Sequence, residues 1–260
     1  MNFLSRIRYV SLVNWIICLL LIMPIAIVIV VSFGKSAYMV FPPAEFSLRW
    51  YEEFFFNPEW MQVLGNSLFI GVLSSLISTV LGFLGAYSLV RGGYRRKKLI
   101  ISFCLLPLIV PSIITSVALY FASAPLDLVG SKIWIAVCHS SLALPIVLLI
   151  LIGALQGIDV SIERAAESLG ASRPYIFAHV VVPMAAPGII SAAFFSFLTS
   201  FDELIISLFL SGLDAETLPV RIWNSLVMNM EPVIAAISAF LVVVTVTLLL
   251  LEQAVRRLRA

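Results

Sequence analysis

Three residues stand out because their chemistry does not suit their surroundings. Asp202 and Glu203 follow one another late in an apolar run, and His139 sits beside Ser140 and Ser141 inside another. An ionised carboxylate at a bilayer centre costs about 2.5–3.5 kcal/mol on insertion scales, so such groups face a cavity, water or an opposite charge. Asp202 lies fifteen residues beyond Pro187, about 22 Å along a helix, which puts the acidic pair in the outer part of a span. Their chemistry is to attract a cation on a substrate path. The competing readings are a helix end near outer water and an ion pair with a second subunit. His139 has no second histidine or carboxylate at metal-ligand spacing, which leaves the substrate path or an interhelical hydrogen bond. The other histidine, His179, belongs to a polar loop and reads as a surface residue. No H-E-x-x-H, G-x-S-x-G or G-x-x-x-x-G-K-[ST] occurs. No catalytic residue, cofactor or metal site is expected, the chain is not an enzyme, and energy for any work must come from a partner. Cys18, Cys104 and Cys138 are scattered through apolar runs and read as small buried hydrophobes.

Those residues need elements to hold them, and the composition says what kind. Of 260 residues, 62% are hydrophobic and only 12% charged, against about 45–50% and about 25% in soluble domains. The solvent for that excess is lipid. A net charge of +2 gives no concentrated basic face, so nucleic acid is not a partner. Crossing the hydrocarbon takes about 20 apolar residues in a helix. Six runs reach that length, at 12–32, 64–90, 99–121, 131–155, 184–209 and 233–252. A β-barrel would need spans of about ten residues that alternate polar with apolar. The chain therefore reads as one all-α integral membrane domain over residues 1–260. The first run is too long for the core of a signal peptide and lacks a convincing cleavage site, so it reads as a retained helix.

Positive charge sets the expected orientation. Arg6, Arg8, the Arg91–Lys98 cluster, Arg164, Arg173, Arg256, Arg257 and Arg259 put twelve basic residues on one side, against four on the other. Both termini and the 156–183 loop are thereby expected in the cytoplasm. Ser74, Ser78, Gly82 and Ala86 make a small-residue ladder that lets another helix approach closely. Pro24, Pro107, Pro111, Pro145 and Pro187 lie within spans, as kinks or as gating hinges. The aromatic cluster Trp50, Tyr51, Phe54, Phe55, Phe56 and Trp60 reads as an interfacial belt or as a docking surface.

The 156–183 loop is too polar to cross lipid, yet it is patterned. Ile162, Ala165, Ala166 and Leu169 form a one-sided apolar stripe on a short helix. Ser161 is the expected N-cap, with Glu163 in the first turn and Gly170 as the stop. Ser172 offers a second cap, followed by a face of Tyr175, Ile176, His179 and Val180 that ends at Pro183. Two short helices at a Gly bend make a knob shaped for a groove on a cytosolic partner.

The stretch Glu163-Arg-Ala165-Ala166-Glu167-Ser-Leu169-Gly170-Ala-Ser, with Pro183 thirteen residues beyond the Gly, resembles the EAA loop of ABC importer permeases. Trp50-Tyr51, Asn66-Ser67, His139 to Pro145, Ser200-Phe201-Asp202-Glu203, Ser211-Gly212 and Thr217-Leu218-Pro219 resemble, in the same order, the spermidine/putrescine-type permeases. The resemblance implies a six-helix type I importer permease of the bacterial inner membrane. It implies a second permease subunit as a heterodimer partner, two cytosolic ATP-binding subunits and a periplasmic binding protein. Glu163, Ala165, Ala166, Glu167, Leu169, Gly170 and Pro183 would then couple to the ATPase. The family's usual Glu falls on Arg164, leaving Glu163 or Glu167 to replace it. Polyamines are the implied cargo; thiamine, ferric iron, phosphate or an amino-acid conjugate stay open, as does a stand-alone carrier.

Overall fold

A helix that is apolar on every side has no single face to bury, so its neighbours and the lipid must share it. The computed structural model describes residues 3–228 and 231–259, with side chains described over 11–228, 231–247 and 249–250. The side chains of Arg6, Arg8, Arg256, Arg257 and Arg259, five of the twelve basic residues expected on one side, lie outside the described residues. The helices are α1 (Phe3–Ser32), α2 (Arg49–Phe56), α3 (Pro58–Arg91), α4 (Lys97–Cys104), α5 (Ser112–Ser123) and α6 (Lys132–Gln156), followed by α7 (Val160–Ser168), α8 (Arg173–Ile176), α9 (Val182–Phe201), α10 (Ile205–Leu210), α11 (Leu218–Met228) and α12 (Val233–Arg259). Among the described residues the extended pairing is a single bridge, Gly34 with Phe46.

The chain forms two compact units, Met1–Met61 with Ile222–Ala260, and Gln62–Arg221. In the first, α1 and α2 pack on α12, and Phe54 is fully buried against Phe240 at 5.6 Å and Trp60 at 6.3 Å. Tyr51 shares a 2.7 Å hydrogen bond with Ser32. The aromatic cluster therefore divides: Phe54 and Trp60 are core, whereas Phe56 is 83% exposed. In its described part, Ser11–Ser32, α1 is almost entirely exposed.

The second unit packs α3, α6 and α9 together. Gly82 allows this, because a Cβ there would lie 2.5 Å from Val147 of α6. Gly188 on α9 is tighter still against Ala154. The small-residue ladder of α3 meets α9 through Ser78, whose hydroxyl is 2.5 Å from that of Ser196. Ser75 donates to the Ala193 carbonyl at 2.7 Å.

Two spans differ from expectation. The third is broken, with Lys97–Leu108 and Ser112–Leu126 meeting at 88°. Pro111 has no N–H to continue a helix and pushes the residue before it out of the helical region, so the chain turns at that point. The fifth ends as a regular helix at Phe201 and resumes at Ile205. The sixth, expected at 233–252, falls within α12, which runs on to Arg259. Pro183 does not end the second arm of the loop. Arg173–Phe201 is one long helix, with a π-turn at Phe177–Val181 beside the position where Pro183 cannot donate a hydrogen bond.

Candidate functional site

Two places in the second unit carry the sequence-derived candidates. The first is the 156–183 loop. Asp159, not Ser161, caps α7: its carboxylate accepts the Ser161 N–H at 2.8 Å. That hydrogen bond holds the Asp159 carboxyl below its ordinary range. Asp wins because it already stands at the bend, with extended backbone and the side chain next to the helix's free N–H groups. The other end of α7 closes as a Schellman motif. Gly170 N–H reaches the Glu167 carbonyl at 3.0 Å, and Ala171 N–H reaches Ala166 at 3.1 Å. Gly170 sits at φ +85°, the left-handed conformation that glycine adopts without penalty. Ser172 occupies the N-cap of α8 without a side-chain capping bond.

The apolar stripe splits by burial. Ala166 and Ala171 pack on the core beneath, while Leu169 is 89% exposed and Ile162 and Ala165 are also exposed. Ile162, Ala165 and Leu169 thus leave an apolar strip on the outer side of the two-helix knob. The acids part company too. Glu163 turns inward, where its carboxylate accepts from Arg91 Nε at 2.6 Å and from the Tyr87 hydroxyl at 3.2 Å. The Arg91 guanidinium also donates to the Ile158 carbonyl at 3.0 Å. Glu167 stays half-exposed, 3.6 Å from Arg173. Pro183 is exposed near the start of α9. Sequence reasoning missed Arg91 and Tyr87 as parts of this arrangement. The one signal was a basic residue ending a span; its partner lies 72 positions away.

The second place is the break in the fifth span. Asp202 caps the end of α9 and is exposed. Glu203 turns back on the chain, accepting the Ile206 N–H at 3.0 Å, and so starts α10. The adjacent acids thus have different work, one facing outward and the other closing the backbone. His139 does not accompany Asp202. It is 1% exposed, with Nδ1 2.8 Å from Ser200 Oγ on α9 and Nε2 3.2 Å from Ser207 Oγ on α10. One ring nitrogen donates and the other accepts, so the imidazole bridges the two sides of the break from α6.

Nearby, two segments distant in sequence join. Asn66 donates to the carbonyls of Asp214 at 3.3 Å and Glu216 at 2.9 Å. Ser67 accepts the Leu218 N–H at 2.7 Å, which satisfies the start of α11. The Asn-Ser and Thr-Leu-Pro segments are therefore one structural unit.

Comparison with known proteins agrees with this architecture. The family described as "Binding-protein-dependent transport system inner membrane component" matches residues 78–260. The chain is 30% identical over 240 residues to the spermidine/putrescine transport system permease protein PotC of Haemophilus influenzae, covering 91% of this chain and 92% of that one. It is 33% identical over 227 residues to the putrescine transport system permease protein PotI of Escherichia coli strain K12, covering 84% and 80%. The crystal structure of a bacterial ABC transporter involved in the import of the acidic polysaccharide alginate shares the fold, with a TM-score of 0.75 at 15% identity over 99% of this chain and 98% of that one. With its helical spans and projecting loop, the chain belongs to the family of inner-membrane components of binding-protein-dependent transport systems, the permease subunits of ABC importers.

Proposed function

We propose that this permease forms half of the translocation path of a polyamine importer. The observation that carries the substrate class is the identity with spermidine/putrescine permeases over nine-tenths of the chain. The exposed Asp202 at a helix break supports it, since a carboxylate lowers the barrier for a cation leaving water without forming a deep trap. In this reading a second permease subunit completes the path, two cytosolic ATP-binding subunits dock at the Val160–Gly170 knob, and a periplasmic protein delivers the cargo. Both termini and the knob then lie in the cytoplasm. The chain's own residues supply shape and charge, and hydrolysis belongs to the partners.

The substrate class is tested on the cognate binding protein. Melting it with putrescine, spermidine, thiamine, phosphate and ferric iron at about a hundred times the dissociation constant should show stabilisation of about 2.7 kcal/mol by a polyamine. Stabilisation by one of the other solutes with none by polyamines would contradict the reading.

A further inference from the structure

We propose that Arg91 is a positioning residue that straps the knob to α3, so that movement of the knob is delivered to the membrane path through that helix. The inference rests on the docking role given to the knob above, and goes beyond it by naming the connection. An open groove of about 680 Å³ lies between the cytoplasmic end of α3 and the two arms of the loop. Side chains bridge it at two points. Arg91 holds Glu163 of α7 and the Ile158 carbonyl of the preceding turn with one guanidinium. Phe177, on the second arm, packs edge-on against Tyr87 at 5.0 Å and tilted against Phe83 at 5.5 Å. Tyr87 also donates to Glu163, so both arms are fastened to one face of α3.

Both ends of the ion pair are shielded, with side chains 14% and 12% exposed. It is therefore not a loose surface pair, whose contribution to any mechanical link would be small. From Arg91 the helix runs into the bilayer without interruption to Ser75 and Ser78. There α3 is hydrogen-bonded to α9, the helix that ends at Asp202. A displacement of α7 thus has a continuous rigid route to the break in the fifth span. Glu163, the acid one place before Arg164, is spent inside the subunit on this strap and is not presented to a partner.

The test uses the complete transporter in proteoliposomes, with its partner permease, ATP-binding subunits and loaded binding protein. Three quantities are read: ATP-binding subunit retained on purification, basal hydrolysis, and the increment caused by loaded binding protein. Coupling between sites usually corresponds to about 5–150-fold, so Arg91→Met should cut the increment about tenfold while retained subunit and basal hydrolysis stay within about twofold. Glu163→Gln should lower the increment as well, and the double variant should lose no more than the worse single one, because one link can be broken only once. An unchanged increment in Arg91→Met would overturn the strap. So would multiplicative losses in the double variant, or a loss of retained subunit proportional to the lost increment, which marks a merely structural role. Failure of the wild-type knob to hold an ATP-binding subunit, with cross-linking finding it elsewhere on the permease, would overturn the docking reading and the strap together.

Discussion

Gly170 shows how one residue's backbone serves the proposed docking. A side chain added there meets nothing within 4 Å, so a substitution would be penalised by the left-handed backbone alone. That penalty is roughly 1–2 kcal/mol for an ordinary L-residue and smaller for Asn. Gly170→Leu is expected to leave the protein inserted but to reduce the ATP-binding subunit recovered on purification, with Gly170→Asn intermediate. Equal recovery in all three would mean the bend has no part in docking. Asp202 offers a charge test of the same grain. Its carboxylate is exposed while Glu203 is committed to Ile206 N–H, so the two acids should not be equivalent. Asp202→Asn keeps shape and should slow polyamine uptake by about tenfold, a barrier change of roughly 1.4 kcal/mol. Asp202→Glu should be milder, and expression and subunit assembly should be normal in both. Glu203→Gln, whose amide oxygen still accepts a hydrogen bond, should affect uptake less than Asp202→Asn. The reverse order in an uptake assay would move the substrate path to Glu203.

At the scale of helices, close approach depends on the absence of side chains. Gly188 stands so near Ala154 that even a methyl forces α9 from α6. Overpacking of this kind costs about 1–3 kcal/mol, and Gly188→Leu should lower the melting temperature of the purified permease. Gly65→Ala, where nothing lies within 4 Å, should leave it unchanged or slightly raised by helix propensity. If the two variants melt alike, α6 and α9 are not packed as described. The ladder on α3 was legible in the sequence, because small residues four apart have one geometric use. So was the α7–Gly170 bend, whose stripe and stop are both local signals. The interruptions were harder. Pro111 breaks its span, whereas Pro145 and Pro187 sit inside continuous helices, and residue type alone does not separate these outcomes. The same limit applies to Glu163: a carboxylate in a helix's first turn looks alike whether it faces a partner or Arg91. Long-range pairing decides, and no local pattern reports it. His139 was readable as polar and buried, but not as the bridge across a break whose position was itself unseen.

The whole molecule makes an asymmetric claim about sides of the membrane. In a background lacking Cys18, Cys104 and Cys138, single cysteines at Glu45, Asp127 and Leu213 should react with an impermeant reagent added from outside. Leu213 suits this because it is 95% exposed. A cysteine at Ser168 should be protected until the membrane is opened; outside labelling there would invert the topology. Cargo, energy source and coupling meet in one process, the uptake of labelled spermidine and putrescine into proteoliposomes that hold the complete transporter. The predicted result is accumulation that requires ATP, requires the binding protein and falls sharply in Gly170→Leu. Accumulation without ATP or binding protein, or ATP-driven import of another solute with polyamines excluded, would contradict it.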